Sequence, residues 1–347
     1  MRKSLSIFFE MKEHNNDFEN RIYENFCGNI NSSPAFRGNY GKIFNVDKDY
    51  VVKICDCKNM LSVIPEIAIL SSLNHRSILK AHYIIKKNDE IMFVISKYDC
   101  TLRDISTECP NIKLNVTEQL CNALNYLHSK FFLHLDLSLK NILVKIKSNF
   151  LHVCICDFSL SKFAPKGKIN TRYSKVTVNY RPYENLIGSN EYSFKTDCWS
   201  LGVCLYYLYE GKDLIKFNYI SDNVNTSKAL ETCSLFEIQK LYSEGNWPPT
   251  ENSFIKMLLD LNIEQRIDTY QLSNILGLKT YKKERLKSKE IISSVFNNCY
   301  HKTSKTNQKE LYKECISIVK GLMFDTVDSN FENAFEIISL NKGILTF

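Results

Sequence analysis

Glycine and proline are scarce in this chain, with 11 and 7 among 347 residues. That excludes a collagen-like chain and a Pro/Gly-rich low-complexity one. Long hydrophobic runs are missing too, since none approaches the ~20 residues that span a bilayer. The apolar stretch Leu5–Phe9 ends at Glu10 and Lys12, short of a signal-peptide core. No CxxC pair occurs among the 13 cysteines, which are odd in number and scattered through apolar patterns such as Cys154-Ile155-Cys156. A tetrahedral zinc site and a disulfide framework therefore lack support, and free thiols in a reducing compartment are expected. The expectation is an intracellular protein, cytoplasmic or nuclear, with no membrane segment.

Apolar residues are plentiful by comparison, 44% of the chain against 24% charged. A disordered chain lacks the apolar surface to offset its conformational entropy, so this one folds. Its length suits two structural units or one large bilobal domain. The net charge of +7 is unevenly placed: nine Lys/Arg against two Glu between Lys279 and Lys309 account for all of it. A nucleic-acid binder would line a groove of the folded body with such charge. Nucleic acid is therefore disfavoured as a partner except through that one basic segment.

Residues 1–30 are polar and Asn-rich and read as an amino-terminal extension. From Phe36 to Tyr98 β-type segments dominate: Lys42–Val46, Tyr50–Cys55, Lys80–Lys86 and Ile91–Ser96, the first two joined at Asp47-Lys48-Asp49. A helical pattern with Pro65 near its start interrupts them over residues 65–73. Beyond Tyr98 the chain turns helical, with a stripe of Leu120, Ala123, Leu124 and Leu127 within Val116–Ser129. The expected class is α+β and bilobal, with a small β-rich lobe over 31–98 and a larger helical lobe over 99–280. A basic helical tail follows over 281–347, where Leu311, Cys315, Ile318, Val319 and Leu322 repeat at helical spacing. That tail is either a helix docked on the large lobe or a segment that recruits an activating protein partner.

Gly38 and Gly41 sit three apart at a strand turn. Glycine lets backbone amides approach a phosphate, although a plain hairpin uses the same pair. Lys53 lies inside the apolar strand Tyr50-Val51-Val52-Lys53-Ile54, where an ammonium is costly without an anion. Glu66 on the next helix is a natural partner, and an exposed strand edge is the alternative. The segment His134-Leu135-Asp136-Leu137-Ser138-Leu139-Lys140-Asn141 precedes Cys156-Asp157-Phe158-Ser159. Two carboxylates and an amide in that order suit a Mg²⁺–polyphosphate site, because hard cations prefer oxygen ligands.

With these motifs the chain resembles a eukaryotic-type protein kinase over about residues 31–280. His134–Asn141 is similar to the catalytic loop H-R-D-x-x-x-x-N, and Asp157-Phe158-Ser159 to D-F-G. Tyr180-Arg181-Pro182-Tyr183-Glu184 resembles the Y-R-A-P-E that ends an activation segment, and Asp197-Cys198-Trp199-Ser200-Leu201-Gly202 resembles D-x-W-S-x-G. The wording of 176–202 is closest to the cyclin-dependent and MAP kinase branch (CMGC). The low glycine and high Asn, Lys and Ile content resembles kinases of large AT-rich DNA viruses. The resemblance implies ATP and Mg²⁺ as cofactors and a protein substrate with Ser or Thr acceptors. It implies that Lys53, oriented by Glu66, holds the α/β-phosphates under the Gly38–Gly41 loop. Asp136 would accept the substrate proton, and Asn141 and Asp157 would ligate Mg²⁺. Ile43, Val51 and Leu143 would sandwich the adenine, with Ile95 as gatekeeper and Ser96–Tyr98 as hinge. His134, Phe158, Leu70 and Ala81 would stack between the lobes, and Arg266 would pair with Glu184.

The chain also departs from the family pattern. Phe36 replaces the first loop glycine, Ser159 the D-F-G glycine, and Ser138 the lysine usual two residues after the base. Leu135 replaces the arginine that reads an activation-loop phosphate, and Arg172 occupies the usual phosphothreonine position. Losing reader and phosphate together implies activity without activation-loop phosphorylation, with Thr171 and Ser174 as the remaining hydroxyls. The alternative is a pseudokinase that binds or regulates a partner kinase. Arg181 either braces the activation segment or favours proline after the phosphoacceptor.

Overall fold

The computed structural model describes residues 34–38, 41–56, 66–67, 69–70, 72–87, 90–106, 108–148, 150–171, 176–215 and 227–283. The amino-terminal extension, Arg172, Ser174 and the tail stripe from Leu311 to Leu322 lie outside them. Five antiparallel strands open the fold: β1 (Phe36–Gly38), β2 (Gly41–Asn45), β3 (Tyr50–Asp56), β4 (Ala81–Lys87) and β5 (Glu90–Ser96), in the order β1-β2-β3-β5-β4. The period of two sorts β3 into two faces. Val52 and Ile54 pack with Met92 and Val94 on the outer face. Val51 and Cys55 join the main core on the other face, and Lys53 shares their side of the strand.

Beyond β6 (Cys100–Thr101) the large lobe is organised on α1 (Pro110–Ser129) and α3 (Phe194–Glu210), with α2 (Tyr183–Leu186) between them in sequence. α4 (Ser227–Ser243), α5 (Ser253–Leu258) and α6 (Thr269–Ile275) complete it. The helix expected over Val116–Ser129 begins six residues earlier. Lys113 interrupts the apolar stripe yet is buried, because its ammonium donates to the Tyr209 carbonyl at 3.0 Å. Between α1 and α3 run β7 (Phe132–Leu133), β8 (Ile142–Lys147), β9 (Phe150–Ile155), β10 (Lys162–Phe163), β11 (Lys168–Asn170) and β12 (Glu191–Ser193). They form the sheets β6-β8-β9, β10-β7 and β11-β12.

One apolar core runs through both lobes, from Val51 and Ile95 through Leu70, Phe158 and Leu127 to Trp199 and Leu258. Burying each such side chain stabilises the fold by about 1.5–3 kcal/mol. The lobes are also joined by backbone: Leu79 donates to the Ile155 carbonyl at 2.8 Å, and Ile155 donates to Ser77 at 2.9 Å. Among the described residues no helix is long and apolar enough to cross a membrane, and no cysteine is in a disulfide.

Candidate active site

Lys53 is not an exposed edge lysine. Its Nζ donates to both Glu66 carboxylate oxygens, at 2.7 and 2.8 Å, and lies 3.8 Å from Asp157 Oδ1. Burial opposes its charge, but Glu66 and Asp157 together outweigh that cost and hold the ammonium above its ordinary pKa. Burial also raises Glu66, with the lysine pulling the other way. A buried pair of this kind adds little net stability, because desolvation cancels most of the attraction. It does fix a positive point facing the cleft.

The catalytic-loop residues hang from α3. Asp197, fully buried in the first turn of that helix, accepts the backbone N–H groups of His134 (2.8 Å) and Leu135 (2.9 Å). It is also 2.9 Å from His128 Nε2. Leu135 is thereby held at φ +64°, a left-handed conformation that strains a leucine by roughly 1–3 kcal/mol. The next residue, Asp136, receives Asn141 Nδ2 on Oδ2 at 2.9 Å and the Thr177 hydroxyl on Oδ1 at 2.6 Å. Burial and the neighbouring Asp157 raise the Asp136 pKa, while the Thr177 hydrogen bond works against them. His134 accepts the Asp136 N–H on Nδ1 at 3.2 Å, so its Nε2 carries the proton shared with the Cys156 carbonyl at 3.1 Å.

The donor chemistry suits a hard cation. The Asn141 side chain uses its N–H₂ on Asp136, leaving the amide oxygen without a partner among the described residues, and Asp157 keeps a partly exposed carboxylate. Two residues are too few to hold an ion alone. Among the described residues no cluster of three or more His, Cys, Asp or Glu could hold a metal. Mg²⁺ bound through one or two side chains and substrate phosphates fits that set.

Ile43, Val51, Ile95, Tyr98 and Leu143 all pack into or against the main core where the small sheet meets β8. The Ser96 hydroxyl is 2.8 Å from His82 Nε2, and the Tyr98 ring stacks on His152 at 6.4 Å, so both side chains expected at the hinge are engaged by protein groups. Gly41 is required by β3: a Cβ there would lie 2.7 Å from the Ile54 carbonyl oxygen. Gly38 pairs with Gly41 across the β1–β2 turn. Phe36 is 61% exposed, so its ring stands in solvent. The Leu70, Ala81, His134 and Phe158 side chains are buried, with His134 and Phe158 rings 5.1 Å apart.

A family model described as the protein kinase domain matches residues 37–276. This chain belongs to the protein kinase family. It is similar to NUAK family SNF1-like kinase 2 of Rattus norvegicus, 31% identical over 212 residues, 57% of this chain and 31% of that protein. It is 28% identical over 256 residues to serine/threonine-protein kinase kin-29 of Caenorhabditis elegans, 72% of this chain and 29% of the relative. With serine/threonine-protein kinase par-4 of Caenorhabditis briggsae it shares 31% over 199 residues, 50% and 30% of the two lengths. The chain thus spans less than a third of the length of these curated relatives.

The activation segment of this kinase is fastened at several points. Fully buried Arg266 makes a two-pronged pair with Glu184 at 2.8 Å on each side, its guanidinium 4.8 Å from the Trp199 ring centroid. Arg181 donates Nη2 to the Val176 carbonyl at 2.9 Å and pairs with Glu231 on α4. β11 pairs with β12 in the register Ile169↔Tyr192, flanked by a Lys168–Glu191 ion pair at 2.7 Å. Leu135, the residue in place of the phosphate-reading arginine, lies in an apolar cluster with Leu133, Ala164, Ile169, Val176 and Tyr192.

Two of these roles escaped the sequence reading. Asp197 was legible as part of D-x-W-S-x-G, but its partners are 62 to 69 residues away. The apolar cluster around Leu135 had a signal in the alternating burial-type residues Ile169 and Tyr192, which only the β11–β12 ladder brings together.

Proposed function

We propose that this chain is an ATP- and Mg²⁺-dependent protein kinase that phosphorylates Ser or Thr in protein substrates and needs no phosphate on its activation segment. The observation that carries the reading is the Lys53–Glu66 pair beside Asp157, with Asp136 and Asn141 joined across the cleft. Lys53 orients the α/β-phosphates, and Asn141 and Asp157 hold the metal. When bound, Mg²⁺ neutralises charge on the transferring phosphoryl group. Asp136 takes the hydroxyl proton; its two hydrogen bonds fix the carboxylate's direction, and the raised pKa makes it a better acceptor near neutral pH. The packing of Ile43, Val51 and Leu143 supports an adenine slot at the inner face of the small sheet.

Independence from phosphorylation is supported by the Leu135 cluster, which occupies the phosphate reader's place with apolar contacts. The CMGC-type wording is supported by Arg181, whose bond to the Val176 carbonyl removes an acceptor beside the peptide site. Any residue but proline after the phosphoacceptor would then leave a buried N–H unpaired, at about 1–3 kcal/mol. The pseudokinase reading rests on three departures from the family pattern, exposed Phe36 and buried Ser159 in place of glycines and buried Ser138 in place of the lysine beside the base.

The test is incubation of the chain with Mg²⁺-ATP and a positional peptide library, beside Asp136→Asn and Asp157→Ala. Phosphate incorporation that both substitutions abolish without lowering the melting temperature is expected. Nucleotide binding with no incorporation by the wild type would turn the assignment to the pseudokinase. Absence of proline enrichment would remove the CMGC-type specificity alone.

A further inference from the structure

The kinase family match ends at residue 276, yet the chain continues over the large lobe to a place the family roles do not explain. Tyr281 donates its backbone N–H to Asn125 Oδ1 of α1 at 3.1 Å. Its ring meets Tyr126 edge-on at 5.2 Å and His75 edge-on at 5.9 Å, and those two rings stack on each other at 5.2 Å. Two residues on, Lys283 Nζ lies 5.8 Å from the Phe194 ring centroid. Aromatic contacts of this geometry add attraction beyond area burial.

The position of His75 gives the trio its meaning. The Tyr126 hydroxyl accepts the Asn74 N–H at 3.2 Å, and Leu73 donates to the Ile69 carbonyl at 3.0 Å, so this loop continues directly from the helix carrying Glu66 and Leu70. His75 Nδ1 accepts the Ser77 N–H at 3.1 Å, and Ser77 and Leu79 are bonded to Ile155, two residues before Asp157. One loop thus follows the helix that carries Glu66 and braces the strand that leads to Asp157. The three rings clamp that loop to α1.

We propose that Tyr281 is a positioning residue for phosphotransfer: the stub after the kinase domain locks the His75 loop against α1 and so holds Glu66 and Asp157 in register around Lys53. This rests on the kinase reading of the site. The ring acts by packing, so the phenyl ring alone suffices. A residue outside the family's matched span therefore sets how well the cleft is aligned, and the domain needs its stub to work at full rate.

The experiment compares Tyr281→Ala and Tyr281→Phe in the full chain by amide hydrogen exchange over residues 72–79 and Val153–Asp157, by binding of a fluorescent ATP analogue, and by steady-state phosphorylation of a generic protein substrate. Tyr281→Ala is expected to speed exchange at least tenfold in those two segments and lower kcat about tenfold, with KM for ATP within twofold. Tyr281→Phe is expected to restore wild-type values in every measurement. Unchanged local exchange in Tyr281→Ala, a Phe variant as damaged as the Ala one, or acceleration spread evenly over the large lobe would overturn the proposal. A wild type that binds nucleotide but transfers no phosphate would defeat the kinase reading, while exchange would still decide the clamp.

Discussion

The two sides of the cleft are held by different physics. On the small-lobe side Glu66 reaches Lys53 through one two-pronged ion pair, and Lys53 is 3.8 Å from Asp157. On the large-lobe side Asp136 sits next to two residues whose N–H groups Asp197 fixes, and Asn141 and Thr177 hold its carboxylate. One side depends on a charge pair whose net stability is small. The other is over-determined by buried hydrogen bonds and tolerates left-handed backbone at Leu135 and Asp157. Alignment is thus pre-set on the large-lobe side and adjustable on the other, which is where a clamp such as the Tyr281 trio has leverage.

The contrast breaks hardest at Asp197. Asp197→Ala leaves His128 and two backbone N–H groups without their acceptor, so unfolding free energy should fall by about 1–3 kcal/mol for each buried donor left unpaired. Phosphotransfer should drop at least a hundredfold. Thermal unfolding and steady-state rates would check both, and a variant that keeps wild-type melting would show that the catalytic loop has other supports.

Leu135→Ala should cost about 2–4 kcal/mol by leaving a cavity under the activation segment. Its rate should fall about tenfold, whereas phosphatase treatment of the wild type should leave the rate within twofold. A tenfold loss on phosphatase treatment, ~1.4 kcal/mol of barrier, would mean that a hydroxyl such as Thr171 acts as a switch despite the apolar cluster.

The smallest effect concerns His75. Burial and nearby Arg76 lower its pKa to about 4, so the ring is neutral in the stack at pH 7. A histidine with a depressed folded pKa contributes stability above its unfolded value near 6.5, and that contribution is lost as pH falls from there to about 4. The half-exposed ring is screened by solvent, which limits the loss to about 1 kcal/mol. His75→Phe should flatten this part of the melting-versus-pH curve, and an unaltered slope would place the acid sensitivity elsewhere.

Much of this is legible in the amino-acid sequence. The apolar run from Tyr50 to Ile54 announced a strand but left Lys53 open between a partner to Glu66 and an exposed edge, while local spacing linked Asp136 to Asn141. The start of α1 was obscured because buried Lys113 looks polar in sequence while its ammonium finds a carbonyl. The loss of arginine at Leu135 was visible, but not that Ile169, Val176 and Tyr192 converge there, since that needs a ladder between segments some twenty residues apart. Local chemistry is written in neighbouring letters, whereas support from Asp197 or Tyr281 depends on where distant segments come to rest.

The ladder between Lys168–Asn170 and Glu191–Ser193 carries a consequence in time. Order conferred by a phosphate lasts until a phosphatase removes it, and can be renewed at will. Order conferred by strand pairing and apolar side chains arrives when the chain folds and leaves only when it unfolds. On the proposed phosphate-independent reading, the lifetime of the competent segment is tied to the lifetime of the fold, and heat or proteolysis ends it where dephosphorylation does not.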